Sequence, residues 1–266
     1  MSLEDRALAD YVEQHSCRAL EGIAQVGADP QEELVHATRT SLRRLRATVR
    51  TFPSMVAEPA AVDAALQAMA LPLGEVRDLD VLAALLPTAL AATEAGEGQE
   101  EARRLLAQEL GSRRRSALLA LEVAAGTPAW RTGAELLRTW CRTPPALGIP
   151  DAAAVLGPAE EEVRRRIRAA RREPGGLHAA RKASKRWRYA AELLAAAPGA
   201  AESLERAEQM QELLGQVQDL EIAGTLLAEL LSGPVPGTVA RAGLEALRAL
   251  LSRRQQAVIA LVDDAT

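Results

Sequence analysis

The chain has 266 residues and a formal net charge of −4, with 48% hydrophobic, 26% charged and only 2% aromatic residues. That length can bury a sizeable core, as one large domain or two of ordinary size. Slight overall acidity excludes a wholly basic nucleic-acid binder, and abundant alanine, leucine, arginine and glutamate without β-branched runs predicts an all-α protein.

In chain order, the opening MSLEDRALADY places acids where a signal peptide needs a basic and then an apolar stretch. Helices are expected near residues 4–26, 31–52, 60–93 with a bend at Pro72, and 98–125. Thr127 followed by Pro128 caps a further short helix to about Arg142. The segment TPPALGIP, 143–150, breaks the pattern and reads as a seam. Beyond it, helices are expected near 158–173, 177–196, 200–231 and 238–263, separated by Pro174-Gly175-Gly176, Pro198-Gly199 and Gly233-Pro234. Charge-free apolar stretches such as 81–93 are too short to span a bilayer. Cys17 and Cys141 fit no framework or metal spacing and, with no secretion signal, are expected as free thiols. These features predict a soluble, cytoplasmic protein.

Charge is unevenly distributed. All basic residues but Lys182 and Lys185 are arginine. The stretch LVHATRTSLRRLRATVRTF, Leu34 to Phe52, has no acid, and it aligns with LHAARKASKRWRYAAELL, Leu177 to Leu194, when His36 is placed on His178. Arg39 then meets Arg181, Arg43 meets Lys185, Arg44 meets Arg186 and Arg46 meets Arg188. Downstream, LGEVRDLDVL from Leu73 pairs with LGQVQDLEIA from Leu214, matching Gly74 to Gly215 and Asp78 to Asp219. SRRRSALLAL from Ser112 pairs with SRRQQAVIAL from Ser252. Three blocks in one order indicate an internal duplication, with halves at 1–142 and 151–266 and a Pro-rich linker at 143–150. The simplest architecture is two four-helix bundles related by a pseudo-twofold axis.

On a helix, Val35, Thr38, Leu42, Leu45, Val49 and Phe52 form an apolar seam. One residue on, His36, Arg39, Arg43, Arg46 and Arg50 form a basic stripe about 21 Å long. The second copy places His178, Arg181, Lys185 and Arg188 beside Leu177, Ala180, Trp187, Ala191 and Leu194; Lys182, Arg186 and Tyr189 widen it, and Glu192 replaces the equivalent of Arg50. Most charge runs on helices are solvated faces. Here neither stripe contains an acid until it ends, like charges at i,i+3 and i,i+4 oppose the helix by a few tenths of a kcal/mol each, and the arrangement recurs. Both stripes are therefore expected to face a shared groove that binds an anion.

The pattern H-x-x-R-x-x-x-[RK]-R-x-R, present twice and each time followed by an LG-x-x-x-D-L block, resembles the CHAD domain, the conserved histidine α-helical domain, over essentially the whole chain. The resemblance implies two four-helix bundles around a basic central cavity that binds inorganic polyphosphate, with phosphate or sulfate as simple mimics, and association with polyphosphate granules. By position it implies contacts from His36, Arg39, Arg43, Arg46 and Arg50 and from His178, Arg181, Lys185 and Arg188, flanked by Arg44, Lys182 and Arg186. Thr40 stands opposite Lys182, Arg77 opposite Gln218 and Glu192 opposite Arg50, so the halves are expected to contribute unequally. No E-x-E-x-K stretch of the triphosphate-tunnel enzymes is found, which suggests a stand-alone copy.

Guanidinium forks match phosphate oxygens bidentately, and a histidine opening each stripe gains protonation from bound anion, so tighter binding is expected in mild acid. Asp78 and Asp219 are either orienting partners for the preceding basic helix or exposed carboxylates. Gly74 and Gly215 are expected as close-packing points between helices. Arg113, Arg114, Arg253 and Arg254 are expected to be solvated, and Arg164, Arg165, Arg166, Arg168, Arg171 and Arg172 to pair with Glu160, Glu161 and Glu162.

A nucleic-acid-binding protein is the alternative, using the same stripes for backbone phosphates. Three Trp, two Tyr and one Phe leave few stacking platforms for a single strand; Trp187 is expected in the core, and duplex binding by a helix stays open. Arginines around each histidine repel a metal cation. No nucleophile with a base beside it, Gly-rich phosphate loop or magnesium-binding carboxylate cluster is evident. A non-enzymatic binder without cofactor or metal is expected.

Overall fold

A computed structural model of the chain describes residues 3–27, 30–94, 96, 98–145, 152–170, 176–195, 197, 199–233 and 237–265. Among these, the regular structure is helical: α1 (Leu3–Val26), α2 (Glu32–Thr51), a 3₁₀ turn at Pro53–Met55, α3 (Pro59–Ala91), α4 (Gly98–Ala125), α5 (Pro128–Arg142), α6 (Ala152–Ala170), α7 (Gly176–Leu193), α8 (Ala200–Ser232) and α9 (Thr238–Asp264). The expected break at 146–150, the turn residues Pro174, Gly175, Pro198 and Pro234, and Arg171 and Arg172 lie outside the described residues. No described helix is long and apolar enough to cross a membrane.

Local rules place most boundaries. The Thr127 hydroxyl accepts a hydrogen bond from the Trp130 backbone N–H at 3.3 Å, with Pro128 at the first position of α5. At the other end of α2, the Phe52 N–H donates to the Thr48 carbonyl at 2.8 Å before the chain turns through Pro53. One proline expectation is corrected. Helix α6 starts at Ala152, so Pro158 lies inside it, in its second turn, rather than at its start; a proline there removes one i→i−4 hydrogen bond from the helix. Helix α3 runs unbroken through Pro72 and Pro87.

The chain forms two compact units. The first comprises residues 1–77 and 117–211, the second 78–116 and 212–266. Each draws on both sequence halves, and the divisions fall inside α3, α4 and α8 rather than at 143–150. Helices α3 and α8 have 33 residues each, about 50 Å at 1.5 Å per residue, which is enough to supply two cores.

In the first unit, α1 packs on α2 and α5, α6 on α7, and α2 on α7. Helices α1 and α2 approach closely because Gly22 has no side chain; a Cβ there would lie 1.9 Å from Thr38 Oγ1. The same hydroxyl donates to the Leu34 carbonyl at 2.7 Å, so a polar residue sits satisfied within the apolar seam. Packing of α1 on α5 also brings Cys17 and Cys141 into a disulfide with Cα atoms 5.3 Å apart, inside the range a bridge spans. The expectation of free thiols is thereby corrected; a pairing 124 residues apart leaves no mark in local spacing.

The second unit is a leucine core of Leu82, Leu86, Leu90, Leu106, Leu110, Leu220, Leu226, Leu227, Leu244, Leu247 and Leu251. Helices α4 and α9 cross in backbone contact there, since a Cβ on Gly243 would meet the Gly98 carbonyl oxygen at 2.4 Å.

Candidate anion-binding site

Both copies of the basic stripe lie on helices of the first unit that pack against each other. The α2 seam, Val35, Thr38, Leu42, Leu45, Val49 and Phe52, is buried throughout. The next positions are thereby turned outward: His36 and Arg50 are exposed, and Arg39, Arg43, Arg44 and Arg46 half-buried. On α7, Ala180, Trp187, Ala191 and Leu194 are buried, while His178, Lys182 and Arg186 are exposed and Arg181, Lys185 and Arg188 half-buried. Trp187 belongs to the core, as expected, and its indole N–H donates to Ser203 Oγ at 2.8 Å.

The first half of the α2 stripe is strongly cationic. The imidazole of His36 is held below its ordinary pKa by partial burial, then by the guanidinium groups of Arg77, Arg39 and Arg43, with Glu32 opposing them. Arg77 reaches this group from α3 and pairs with Glu32. One turn earlier on α3, a Cβ added to Gly74 would sit 3.2 Å from Arg39 Nε, so the Arg39 guanidinium lies over bare helix backbone. Gly74 makes room for an arginine rather than for a helix, and Gly215 has no neighbour within 4 Å of a Cβ; the expected helix-packing role is corrected for both. Among the described residues, no carboxylate pairs with Arg43, Lys182 or Arg186.

From position 44 onward α2 is different. Arg44 binds Glu192 of α7 through Nη2–Oε1 at 2.6 Å and Nε–Oε2 at 3.2 Å. Arg46 donates from Nε to Asp63 Oδ1 at 2.9 Å, and from Nη2 to Asp63 Oδ2 at 3.3 Å and Gln67 Oε1 at 2.8 Å. Arg50 Nη2 donates to Asp63 Oδ2 at 2.7 Å. Burial alone would raise the Asp63 pKa, yet hydrogen bonds from Arg46 and Arg50 outweigh it and hold the carboxyl below its usual value. On α7, Arg188 Nε lies 3.3 Å from Glu208. Stripes without neutralising acids, as read from each helix alone, are therefore neutralised in part by acids of other helices.

Tyr189 joins the two stripes. Its buried ring has the guanidinium carbons of Arg43, Arg44 and Arg188 at 5.8, 6.0 and 5.8 Å from its centroid, within cation–π range. The remaining histidine, His15 of α1, is buried edge-to-face against Tyr11 at 4.4 Å. Burial, followed by Arg44 and Arg18, pushes its pKa down to about 4, so it is neutral at pH 7.

Of the acids in the repeated LG-x-x-x-D-L blocks, Asp78 lines a cleft of the second unit with Leu79, Leu82, Arg113 and Ile222, and Asp219 is half-buried. The buried carboxylate is instead Asp80, 2.7 Å from Arg114 Nε. Arg113 pairs with Glu109 and Glu229 at 2.7 and 3.0 Å, so neither Arg113 nor Arg114 is simply solvated. Arg164, Arg165, Arg166 and Arg168 do pair with Glu160, Glu161 and Glu162.

The sequence singles out neither Asp63 nor Gln67 of α3, and marks Arg77 of the same helix only as the residue opposite Gln218, beside the repeated Asp78. For Asp63 and Gln67, spaced i,i+4 toward the start of α3, only knowledge that α2 and α3 are neighbours could have singled them out.

Chemically, this face can hold an extended anion: guanidinium groups, ammonium groups and imidazoles at helical spacing, on two adjoining helices. The sequence profile described as the CHAD domain matches residues 10–228. Two solved structures share the fold. PptA from Streptomyces chartreusis superposes with a TM-score of 0.80 at 19% identity, covering 98% of each chain. The CHAD domain from the plant Ricinus communis gives 0.73 at 24% identity, covering 98% of this chain and 90% of that one. No curated protein matches the sequence significantly.

Proposed function

The chain belongs to the CHAD domain family, and on that premise we propose that it binds inorganic polyphosphate, without catalysis, on the basic face that α2 and α7 form together. The observation that carries this reading is the gathering of Arg77, Arg39 and Arg43 around His36, whose pKa is lowered by partial burial first and then by these three guanidinium groups. Repulsion of that kind is relieved by an anion. A flexible chain with about one negative charge per phosphate could reach from His36, Arg39, Arg43 and Arg77 to His178, Arg181, Lys182, Lys185 and Arg186, in a common basic hollow or groove. Guanidinium forks suit tetrahedral phosphate oxygens. In the cell such binding would place the protein on polyphosphate granules.

Nucleic acid is the competing ligand. Of the aromatic rings near the face, Tyr189 is buried beneath three arginines and Trp187 is in the core, so neither offers a stacking platform.

Calorimetric titration with polyphosphate of defined length tests the reading. Arg39→Ala or Arg181→Ala is expected to weaken binding by about 1.5–3 kcal/mol, the range for charge-assisted hydrogen bonds. Arg104→Ala is the control, because that side chain is 71% exposed and pairs with Glu100; it is expected to change little. Equal losses at all three positions would mean nonspecific surface binding. Release of orthophosphate over hours with magnesium would overturn the non-enzymatic part.

A further inference from the structure

The α2 stripe is basic along its whole length, yet Arg46 and Arg50 share one carboxylate while Arg43 pairs with none among the described residues. We infer that Asp63 sets the length of polyanion this face accepts, by occupying Arg46 and Arg50 as a built-in counter-ion. The inference rests on the phosphate-binding reading and names what limits it.

The geometry is that of a ligand mimic. Both oxygens of the Asp63 carboxylate are engaged, by Arg46 Nε, Arg46 Nη2 and Arg50 Nη2. These are the forked, charge-assisted contacts that a phosphate group would take from the same two guanidinium groups. Gln67 accepts from Arg46 Nη2 as well, which fixes the fork toward α3 and away from a chain lying on α2. The side chains of Arg46 and Asp63 are only 15% and 17% exposed, so salt screens their attraction less than it screens a surface pair. Asp63 also lies in the second turn of α3, near the helix end that favours a carboxylate.

Glu192 acts on Arg44 in the same way from α7, at the position that matches Arg50 in the repeat. Every α2 cation from position 44 onward thus has a carboxylate against it, while Arg43 has none among the described residues. A phosphate chain that starts at His36 and Arg39 meets positive charge as far as Arg43. Beyond that point it meets a negative group where the sequence alone promises two more arginines.

Asp63→Asn removes the charge at nearly constant shape. With tripolyphosphate, short enough to lie between His36 and Arg43, the variant is expected to bind within about twofold of the parent protein. With long-chain polyphosphate it should bind about tenfold tighter, and the log–log salt slope should steepen by about 1.4, from two further phosphates at about 0.7 each. Adding Arg46→Met to Asp63→Asn should remove most of that gain. Unchanged or weaker long-chain binding by Asp63→Asn overturns the inference. Arg50→Met in the parent protein gives an independent reading, because Arg50 is 48% exposed and its loss disturbs little packing: long-chain affinity stays within about twofold if Asp63 already occupies Arg50, whereas a loss of about tenfold means that Arg50 contacts ligand directly. If the parent protein binds neither polyphosphate, it is the phosphate reading itself that fails.

Discussion

Arg39 and Arg46 sit two turns apart on α2, both half-buried, both flanked by the same apolar seam, and on the sequence they look interchangeable. Arg39 lies over the bare backbone at Gly74, close to His36, in a neighbourhood of like charge. Arg46 is forked onto Asp63 and tied to Gln67. The lesson is that a basic stripe on a helix records where cations are, while the neighbouring helix decides which of them remain available to a ligand. On the proposed reading the first half of α2 serves binding, while Asp63 ties Arg46 and Arg50 of the second half into the fold.

The strongest way to break that division is to remove charge from the first half. Arg39→Ala together with Arg43→Ala is expected to weaken polyphosphate binding by about two to four orders of magnitude, each guanidinium contributing about 1.5–3 kcal/mol, while leaving thermal stability near that of the parent. A double variant that binds normally would show that the first half is not the site.

In the second half, Arg46→Ala should act on stability instead. It leaves the Asp63 carboxylate largely buried with only the half-exposed Arg50 beside it, at a cost of about 2 kcal/mol. That corresponds to a fall of roughly 4–8 °C in Tm for a unit of this size, with little change in affinity. Arg46→Ala combined with Asp63→Ala should recover part of the loss, because the uncompensated charge is gone. A thermal melt of the three proteins checks this.

Next in size is the effect of pH. In the free protein His36 is held below its ordinary pKa, by partial burial first and then by Arg77, Arg39 and Arg43. Bound polyanion opposes all three guanidinium groups and raises that pKa, so binding takes up a proton and affinity should climb, by up to about tenfold, as pH falls from about 8 to 6. His36→Gln should remove most of the climb. An unaltered pH profile in that variant would take His36 out of the site.

The smallest effect sharpens the comparison between repeats. Gly74→Ala places a methyl group 3.2 Å from Arg39 Nε and should weaken binding about two- to threefold by shifting the guanidinium. Gly215→Ala meets nothing within 4 Å; it should leave binding alone and stabilise α8 by up to about 1 kcal/mol through helix propensity.

Much of the fold was legible because it is local. The seam from Val35 to Phe52, the cap at Thr127 and the helical periodicity need only neighbours in sequence, and each is where it was expected. The aligned histidines His36 and His178 suggested two basic helices facing a shared groove from separate bundles; the structure packs α2 on α7 within one unit. Other features depend on which helices meet. The partners Asp63, Glu192 and Glu208 neutralise arginines from α3, α7 and α8, the Cys17–Cys141 bridge depends on α1 packing on α5, and the unit divisions inside α3, α4 and α8 depend on helices long enough to serve two cores. Pro158 was misplaced for a different reason: proline was read as a helix start, whereas α6 begins six residues earlier and carries it in its second turn. His15 shows the limit of composition, since a histidine buried on α1 and one exposed on α2 look alike until their surroundings are known.

The central claim, that this face recognises a chain of phosphates rather than phosphates on any scaffold, is tested most directly by competition at fixed salt. A fluorescent single-stranded oligonucleotide is bound first, and unlabelled polyphosphate of equal total charge is then titrated against it, with the labels reversed in a second experiment. Displacement of the oligonucleotide by polyphosphate at least about ten times more readily than the reverse is expected. Equal displacement in both directions, or failure of polyphosphate to displace, would contradict the account.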